Sequence, residues 1–225
     1  MSLAITYCRA VIGIEAPQVV VETHLANGLP SFSLVGLPEK AVQESRDRVR
    51  SALINCGFDF PSKRITVNLA PADIPKQGSG FDLAIAIGIL YASQQIQTSR
   101  ELPSIELLGE LTLGGEIRPV NGVLPAAIAC RSANRSLAVA DNNCAEASLV
   151  QGLDILPLQH LLQLTAHLAG EQPIPLYQVE ESCLSIPSGQ PDLIDIRGQQ
   201  QAKRALEIQR RMADAPPIQA SDITN

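Results

Sequence analysis

The stretch FDLAIAIGILYAS (81–93) constrains the fold more than any other part of this chain. Its residues are apolar at nearly every position, so a helix formed here has no polar side to turn towards water. Such a helix must be covered all round, which places it at the centre of a layered domain. The apolar runs reach only about half of the ~20 residues that a membrane-spanning helix needs. The sequence therefore predicts a central buried helix and no transmembrane segment.

Short β-type runs precede this helix. Residues 3–14, 17–26 and 31–36 are rich in Val, Ile and Thr and predict an antiparallel meander of strands. Pro38 then suits a helix start, and apolar residues at helical spacing predict a helix over 38–56 that Gly57 ends. The alternation of RITVNLAP (64–71) predicts another strand.

The part after the central helix alternates between strands and helices. Gly114 and Gly115 predict a tight hairpin, followed by a helix at about 123–133, a strand at 137–140, a short helix near 142–149, a strand at 154–157 and a helix at 158–168. The fold class is mixed α/β (α+β). Composition shifts at Gly170, so we predict a domain over 1–170, a Pro-rich linker over 171–191 and a further module beginning at 192–225.

Composition narrows the class of protein. The net charge of −6 provides no overall basic field for nucleic acid, so any DNA contact needs a local patch. Five cysteines without C-x-x-C spacing favour neither a disulfide framework nor a zinc site, and we interpret them as small buried residues. The N-terminus has no basic n-region and no A-x-A signal, so we expect a cytoplasmic protein without membrane contact.

The loop PADIPKQGSG (71–80) has the appearance of an active-site turn. Ser79 is a candidate nucleophile, with Lys76 or Asp82 in support, provided that a base lies within hydrogen-bond reach. The alternative is structural: Gly78 and Gly80 serve a turn, and Asp82 meets unpaired N–H groups at a helix N-terminus. The loop is not a phosphate-binding P-loop, because Phe81 follows Gly80 where that motif requires lysine. The three histidines form no obvious metal pair.

Three blocks of sequence carry a resemblance. They are SLVGLPEKAVQESRDRVRSALINCGFDFPSKRITVNLAPADIPKQGSGFDLAIAIGIL, LLGELTLGGEIRPVNGVLPAAIA and DIRGQQQAKRALEI. In this order they resemble the Mg-chelatase-like ComM/YifB family over nearly all of residues 1–208. The resemblance implies an N-terminal domain similar to the Lon proteolytic domain, of the ribosomal protein S5 domain 2-like fold, followed by an AAA+ ATPase module. Members of the ComM type are associated with natural transformation as hexameric, ATP-driven helicases in DNA branch migration.

The same resemblance implies that the Lon catalytic dyad is absent. In the Lon pattern P-K-D-G-P-S-A-G the nucleophilic serine falls at Gly80, and Ser79 takes the place of the preceding proline. The catalytic lysine of the second Lon block falls at Leu124. Neither residue can attack or take up a proton, so we expect no proteolysis by this route.

The segment DIRGQQQAKRALEI resembles the start of the AAA+ module, where Ile196, Gly198 and Gln199 are expected near bound nucleotide. After Ile208 the family's pattern is not followed, and the 225 residues contain no G-x-x-x-x-G-K-[ST] run. The family implies ATP and Mg²⁺ as cofactors of full-length members, which are ATPases. For this chain alone we expect no cofactor, no metal and no ATP hydrolysis.

The sequence leaves three candidate functions. The first is a non-catalytic accessory domain of an AAA+ DNA-remodelling protein, with the AAA+ module, oligomer partners and possible DNA contacts as its partners. The second is a residual serine hydrolase that uses Ser79, and the third is a fragment of a chelatase-type ATPase subunit, which rests on the family name alone. The densest basic group is the candidate DNA contact, although the acidic residues interleaved with it favour a solvated, salt-bridged helix. The group comprises Arg46, Arg48, Arg50, Lys63, Arg64 and Lys76.

Overall fold

A computed structural model describes residues 2–97, 104–178 and 198–213, with side chains in the last range up to residue 208. The chain divides into two compact units, Met1–Val179 and Glu180–Asn225. The first unit therefore extends about nine residues past the boundary that composition predicts. Ile174 is buried there, and the N–H of Tyr177 donates to the carbonyl of Ile155 at 2.9 Å. Residues 179–191 of the predicted linker lie outside the described ranges.

The first unit is built on a seven-stranded sheet and a small hairpin. The strands are β1 (Ser2–Arg9), β2 (Gln18–Ala26), β3 (Ser31–Val35), β4 (Arg64–Ala70), β5 (Ile105–Leu108), β6 (Glu110–Leu111), β7 (Ile117–Arg118), β8 (Ser136–Ala140) and β9 (Ile155–Leu158). The sheet order is β3-β4-β2-β1-β5-β8-β9, and β6 pairs with β7 as the hairpin. The prediction of a mixed α/β fold is confirmed.

The predicted meander is wrong in its third strand. β1 and β2 are antiparallel, but β2 is flanked by β4, and β3 lies outside β4 in parallel, with Ser33 level with Thr66. The helical segment between β3 and β4 provides the crossover connection that a parallel pair requires. Sequence adjacency therefore predicted the wrong neighbour. β1 also ends at Arg9, well before residue 14.

The helices of the first unit are α1 (Lys40–Gln43), α2 (Ser45–Asn55), α3 (Asp82–Ala92), α4 (Val123–Ser132), α5 (Cys144–Ala147) and α6 (Leu161–Leu168). The predicted helix over 38–56 is divided at Glu44, whose carbonyl accepts a bond from the N–H of Asp47 at 3.1 Å. The second unit contains α7 (Gln200–Ala213). None of the described helices is long and apolar enough to cross a bilayer.

The central helix is α3, as predicted. Every residue of α3 except Tyr91 is buried. It lies against β1 and β2, where the hydroxyl of Thr6 donates to the carbonyl of Ala84 at 2.9 Å. Gly88 permits this close approach, because a Cβ atom there would lie 2.5 Å from the Oγ1 atom of Thr23. A helix surrounded in this way fixes the position of the loop that leads into it.

The strands differ in how they are covered. In β2 every second residue is buried, whereas all four residues of β5 are buried. Leu3 and Ile5 of β1 are exposed, so one side of the β1–β4 part of the sheet faces solvent. Alternating burial is typical of a sheet with one covered face, and continuous burial of a sheet covered on both.

Candidate functional site

The loop between β4 and α3 is held by Lys76. The backbone of Lys76 pairs with that of Pro38, and its carbonyl accepts from the N–H of Glu39 at 3.1 Å. The side chain is completely buried, and its amine donates to the carbonyl of Pro71. Burial lowers the pKa of the Lys76 amine below its usual range, against an opposing effect of Asp73. Lys76 therefore closes the loop on itself and is not part of an exposed basic group.

Ser79 points to a carboxylate. Its hydroxyl donates to Glu110 of β6, and its own carbonyl accepts from the N–H of Asp82 at 3.2 Å. A cavity of about 410 Å³ surrounds Ser79, and the described residues that line it include Arg9, Gln77 and Asn121 but no histidine and no lysine. The base that a nucleophilic serine commonly uses is therefore not in this lining.

Gly80 and Leu124, at which the resemblance places the Lon dyad, lie in different surroundings. Gly80 lines the cavity, and a Cβ atom there would lie 2.9 Å from the Cδ1 atom of Leu108, so a side chain at this position needs Leu108 to move. Leu124 stands in the first turn of α4, where its N–H donates to the Glu146 carboxylate at 2.9 Å. Leu124 is not among the residues that line the cavity.

Asp82 does not play the role that its helix position suggests. Its carboxylate is completely buried and makes two bonds with Arg48 of α2, from Nε at 2.7 Å and from Nη2 at 3.0 Å. It also accepts from the N–H of Leu111 at 3.2 Å. Burial raises the pKa of the Asp82 carboxyl above its usual range, and hydrogen bonds from Arg48 oppose this; the same contact raises the pKa of Arg48. The pair joins α2, α3 and β6 instead of satisfying free N–H groups of α3.

The structure breaks up the predicted basic group. Arg48 is engaged by Asp82, and Lys76 is buried. Arg46 is exposed beside Asp47, at 3.2 Å, and the guanidinium of Arg50 lies 5.1 Å from the ring centre of Phe60. The remaining members, Lys63 and Arg64, are exposed at the start of β4. Four of the six residues therefore remain at the surface.

Histidines and cysteines have structural positions. His160 precedes α6, where its Nδ1 atom accepts from the N–H of Leu162 at 3.2 Å, and His167 accepts from the N–H of Ile174 at 2.9 Å. Within the described ranges no cluster of His, Cys, Asp or Glu could hold a metal ion. The described cysteines are free thiols, and burial raises the pKa of Cys144 to about 11. Cys183 lies outside the described residues.

The residues predicted to lie near nucleotide fall in the second unit. Gly198 and Gln199 are exposed and both have positive φ, at 77° and 55°, immediately before α7. The N–H of Lys203 donates to the carbonyl of Gln199 at 3.0 Å, which begins the helix. Ile196 lies outside the described residues.

Sequence reasoning missed a buried ionic cluster. Glu106 of β5 is completely buried and bonds Arg9 through both carboxylate oxygens, with Arg135 at 3.4 Å from one of them. The guanidinium of Arg135 also lies 3.8 Å from the ring centre of Tyr7. The available signal was a lone glutamate within the apolar run IELL, since a charge in a buried strand requires a partner. No comparable pattern in the sequence indicated that Glu110 would be the partner of Ser79.

Comparison with known proteins supports one family. Residues 21–143 match the model of the family described as subunit ChlI of Mg-chelatase. The chain is 52% identical over 211 residues to the competence protein ComM of Haemophilus influenzae, 46% over 210 residues to the YifB protein of Salmonella typhimurium and 42% over 209 residues to a protein of Mycobacterium bovis. Each alignment covers 92% of this chain and 40–41% of the relative.

The segment matched by the family model contains the loop 71–80, α3, Glu110 and Leu124, and the alignments to the relatives cover 92% of the chain. The chain belongs to the ChlI family of Mg-chelatase subunits, as a member of its ComM/YifB group. It spans about two fifths of the length of the curated relatives that it matches.

Proposed function

We propose that this chain is a non-catalytic accessory domain of a Mg-chelatase-like AAA+ protein that acts on DNA during natural transformation. The observation that carries the proposal is the state of the loop before α3. Gly80 and Leu124 occupy the dyad positions that the Lon resemblance defines, and the hydroxyl of Ser79, which lines the cavity beside Gly80, is bonded to a carboxylate. A loop that keeps the form of an active site without its reactive groups suits a scaffold.

The same proposal assigns the ATP-driven step to a module outside the first unit. The ChlI family suggests ATP and Mg²⁺ for full-length members. The residues that would bind phosphates and Mg²⁺ in such a module are the Lys and Ser/Thr of a P-loop, which the 225 residues do not contain. In the cytoplasm, the first unit would then support assembly of the ATPase and hold it near its substrate.

A domain exchange tests this role. In a Haemophilus influenzae strain that lacks ComM, we expect a ComM chimera carrying residues 2–178 of this chain to restore transformation by chromosomal DNA. ComM without the corresponding segment should not restore it, and the chimera with Ser79→Ala should match the unmodified chimera. Full activity of the deleted form would show that the domain is dispensable and would overturn the proposal.

Any direct DNA contact should be weak. Of the predicted basic group only Arg46, Arg50, Lys63 and Arg64 are exposed, and Asp47 lies among them. Each neutralised phosphate adds about 0.9 to the slope of log K against log salt, so we expect a slope no steeper than about −4. Arg46→Ala with Arg50→Ala should reduce the slope by about 2 if α2 contacts DNA, and Arg131→Ala on α4 serves as the control. An unchanged slope in the double variant would remove α2 as the contact.

A residual hydrolase is the second candidate, because the hydroxyl of Ser79 lies in a cavity and is hydrogen-bonded to Glu110. A fluorophosphonate probe distinguishes the two functions. We expect no labelling of the wild-type chain, because the described residues that line the cavity include no histidine and no lysine. Labelling that disappears in Ser79→Ala but persists in Ser33→Ala would establish the hydrolase instead.

A further inference from the structure

The two edges of the seven-stranded sheet are treated differently. At the β9 edge, Pro157 stands within the strand, and the N–H of Tyr177 donates to the carbonyl of Ile155. Both features hinder the addition of another strand. At the other edge, β3 is paired on one side only, with β4, and has no second strand neighbour among the described residues. Within the described part of the chain, the β3 edge is therefore open.

β3 is a short strand between Pro30 and Pro38, but the segment around it lacks the charged side chains that most often protect an edge strand. Residues 28–38 read GLPSFSLVGLP and contain no charged side chain. Leu29, which precedes the strand, is 89% exposed, and Leu37, which follows it, is 59% exposed. Val35 at the end of the strand is 43% exposed. A lysine on an exposed edge strand repels an approaching strand, and no residue of this segment provides such a charge. A neutral, apolar edge of this kind favours pairing with another strand.

We propose that β3 pairs in antiparallel orientation with β3 of a second copy of this chain, about a twofold axis at Ser33. This is an interaction surface that goes beyond the proposed function and does not depend on it. The register places Phe32 opposite Leu34 of the second copy, and it brings Leu29 to the same end of the paired strands as Leu37 of that copy. The two sheets then continue as one.

The backbone direction of β3 agrees with this register. The N–H of Ser31 points to β4, where it donates to the carbonyl of Lys63 at 3.4 Å. The N–H and C=O groups of successive residues in a strand point to opposite edges. The backbone groups of Ser33 therefore also point to β4, while those of Phe32 and Leu34 point to the open edge. In an antiparallel pair centred on Ser33, Phe32 and Leu34 of the two copies exchange N–H and C=O bonds directly.

The chemistry of the segment favours a second copy over a charged peptide. In this register Ser33 faces its own counterpart on the twofold axis and the residues beside it face one another in pairs, so the segment must be free of charge near the axis. The run 28–38 meets this condition because it is neutral, and its apolar members face one another across the axis. A pair of five-residue strands buries much less surface than the ~1,200–2,000 Å² of a stable interface. We therefore expect a weak, concentration-dependent dimer.

Two cysteine variants of the full chain test the register. Ser33 and Ser31 are both exposed on the same side of β3. In Ser33→Cys the two new thiols face each other in a non-hydrogen-bonded pair with Cα atoms about 4.5 Å apart, which a disulfide can bridge. In Ser31→Cys they are about 14 Å apart along the strand axis. We expect an intermolecular disulfide under mild oxidation in Ser33→Cys only, with wild type reporting any background from native cysteines.

Sedimentation velocity tests the dimer without a cross-link. With rising concentration the wild-type mass should move from 24.0 kDa towards twice that value. Ser33→Lys places like charges together at the axis and should weaken association about fivefold or more. Thr66→Lys, one strand inward and level with Ser33, should weaken it less than about twofold in physiological salt.

Several outcomes would overturn the proposal. These are a mass of 24.0 kDa at every concentration, equal cross-linking of the two cysteine variants, or an oligomer that Ser33→Lys leaves unchanged. Circular dichroism and the thermal midpoint of each variant establish that it is folded.

Discussion

The two parts of the sheet differ in what surrounds them. β5, β8 and β9, here called the parallel part, are parallel strands whose residues are almost all buried. β1 to β4, here called the mixed part, alternate between more and less covered residues and leave one side in water. Parallel strands are joined through helices that cover both faces, whereas antiparallel strands require cover on one face only. The parallel part therefore stabilises the fold, and the mixed part offers surface for contacts.

The same residue type shows the difference. Glu106 in the parallel part is completely buried between two arginines, whereas Glu22 in the mixed part is half-buried and accepts from Asn68 at 2.8 Å. A buried carboxylate is tolerated only with its partners, and removal of one partner leaves the others uncompensated. Identical substitutions in the two parts should therefore have very different consequences.

The largest effect is expected for Glu106→Gln. Loss of the negative charge leaves Arg9 buried without a counter-charge and should lower the free energy of unfolding by about 3–5 kcal/mol. Glu22→Gln, the matched control, should change it by less than about 0.5 kcal/mol. Urea unfolding followed by circular dichroism measures both. Equal effects of the two substitutions would remove the distinction between the parts.

A smaller, opposite effect is expected for Thr23→Val on the covered side of the mixed part. The Thr23 hydroxyl is buried and has no hydrogen-bond partner among the described residues. An unsatisfied buried polar group costs about 1–3 kcal/mol, and valine has nearly the same shape, so this variant should gain about 1 kcal/mol of stability. Thr6→Val is the control and should lose stability, because the Thr6 hydroxyl is bonded to Ala84. A loss in both variants would mean that Thr23 has a partner after all.

The smallest effect concerns the loop beside the mixed part and depends on pH. Because burial lowers the pKa of Lys76, the unfolded chain binds its proton more tightly than the folded chain does. The contribution of Lys76 to stability therefore rises as the pH increases from its folded pKa to its ordinary value near 10.5. Relative to Lys76→Met, the wild type should gain stability between pH 7 and pH 10.

Thermal unfolding at a series of pH values measures this difference, with Lys63→Met as an exposed control that should show no such trend. A wild-type advantage that stays constant with pH would contradict the buried position of the amine. A trend of equal size in the control would assign the effect to overall charge.

The sequence alone predicted the features that depend on local pattern. The apolar character of residues 81–93 identified the central helix, because no other environment suits a helix without a polar side. The strands and helices after residue 105 also follow from periodicity and from the Gly114–Gly115 turn. The sequence alone also places Gly80 and Leu124 at the dyad positions of the resemblance, because matching a motif needs only the identity of the residues.

Tertiary structure decided which elements and side chains meet. β4 lies between β2 and β3, antiparallel to the first and parallel to the second, and no local pattern encodes those neighbours. Asp82 pairs with Arg48, 34 positions away, and the Lys76 amine turns inward to Pro71, although both residues look like solvent-facing charges in the sequence. Local pattern is governed by the backbone and by hydrophobic spacing, whereas a charge partner is chosen by whichever element the completed fold brings within hydrogen-bond distance.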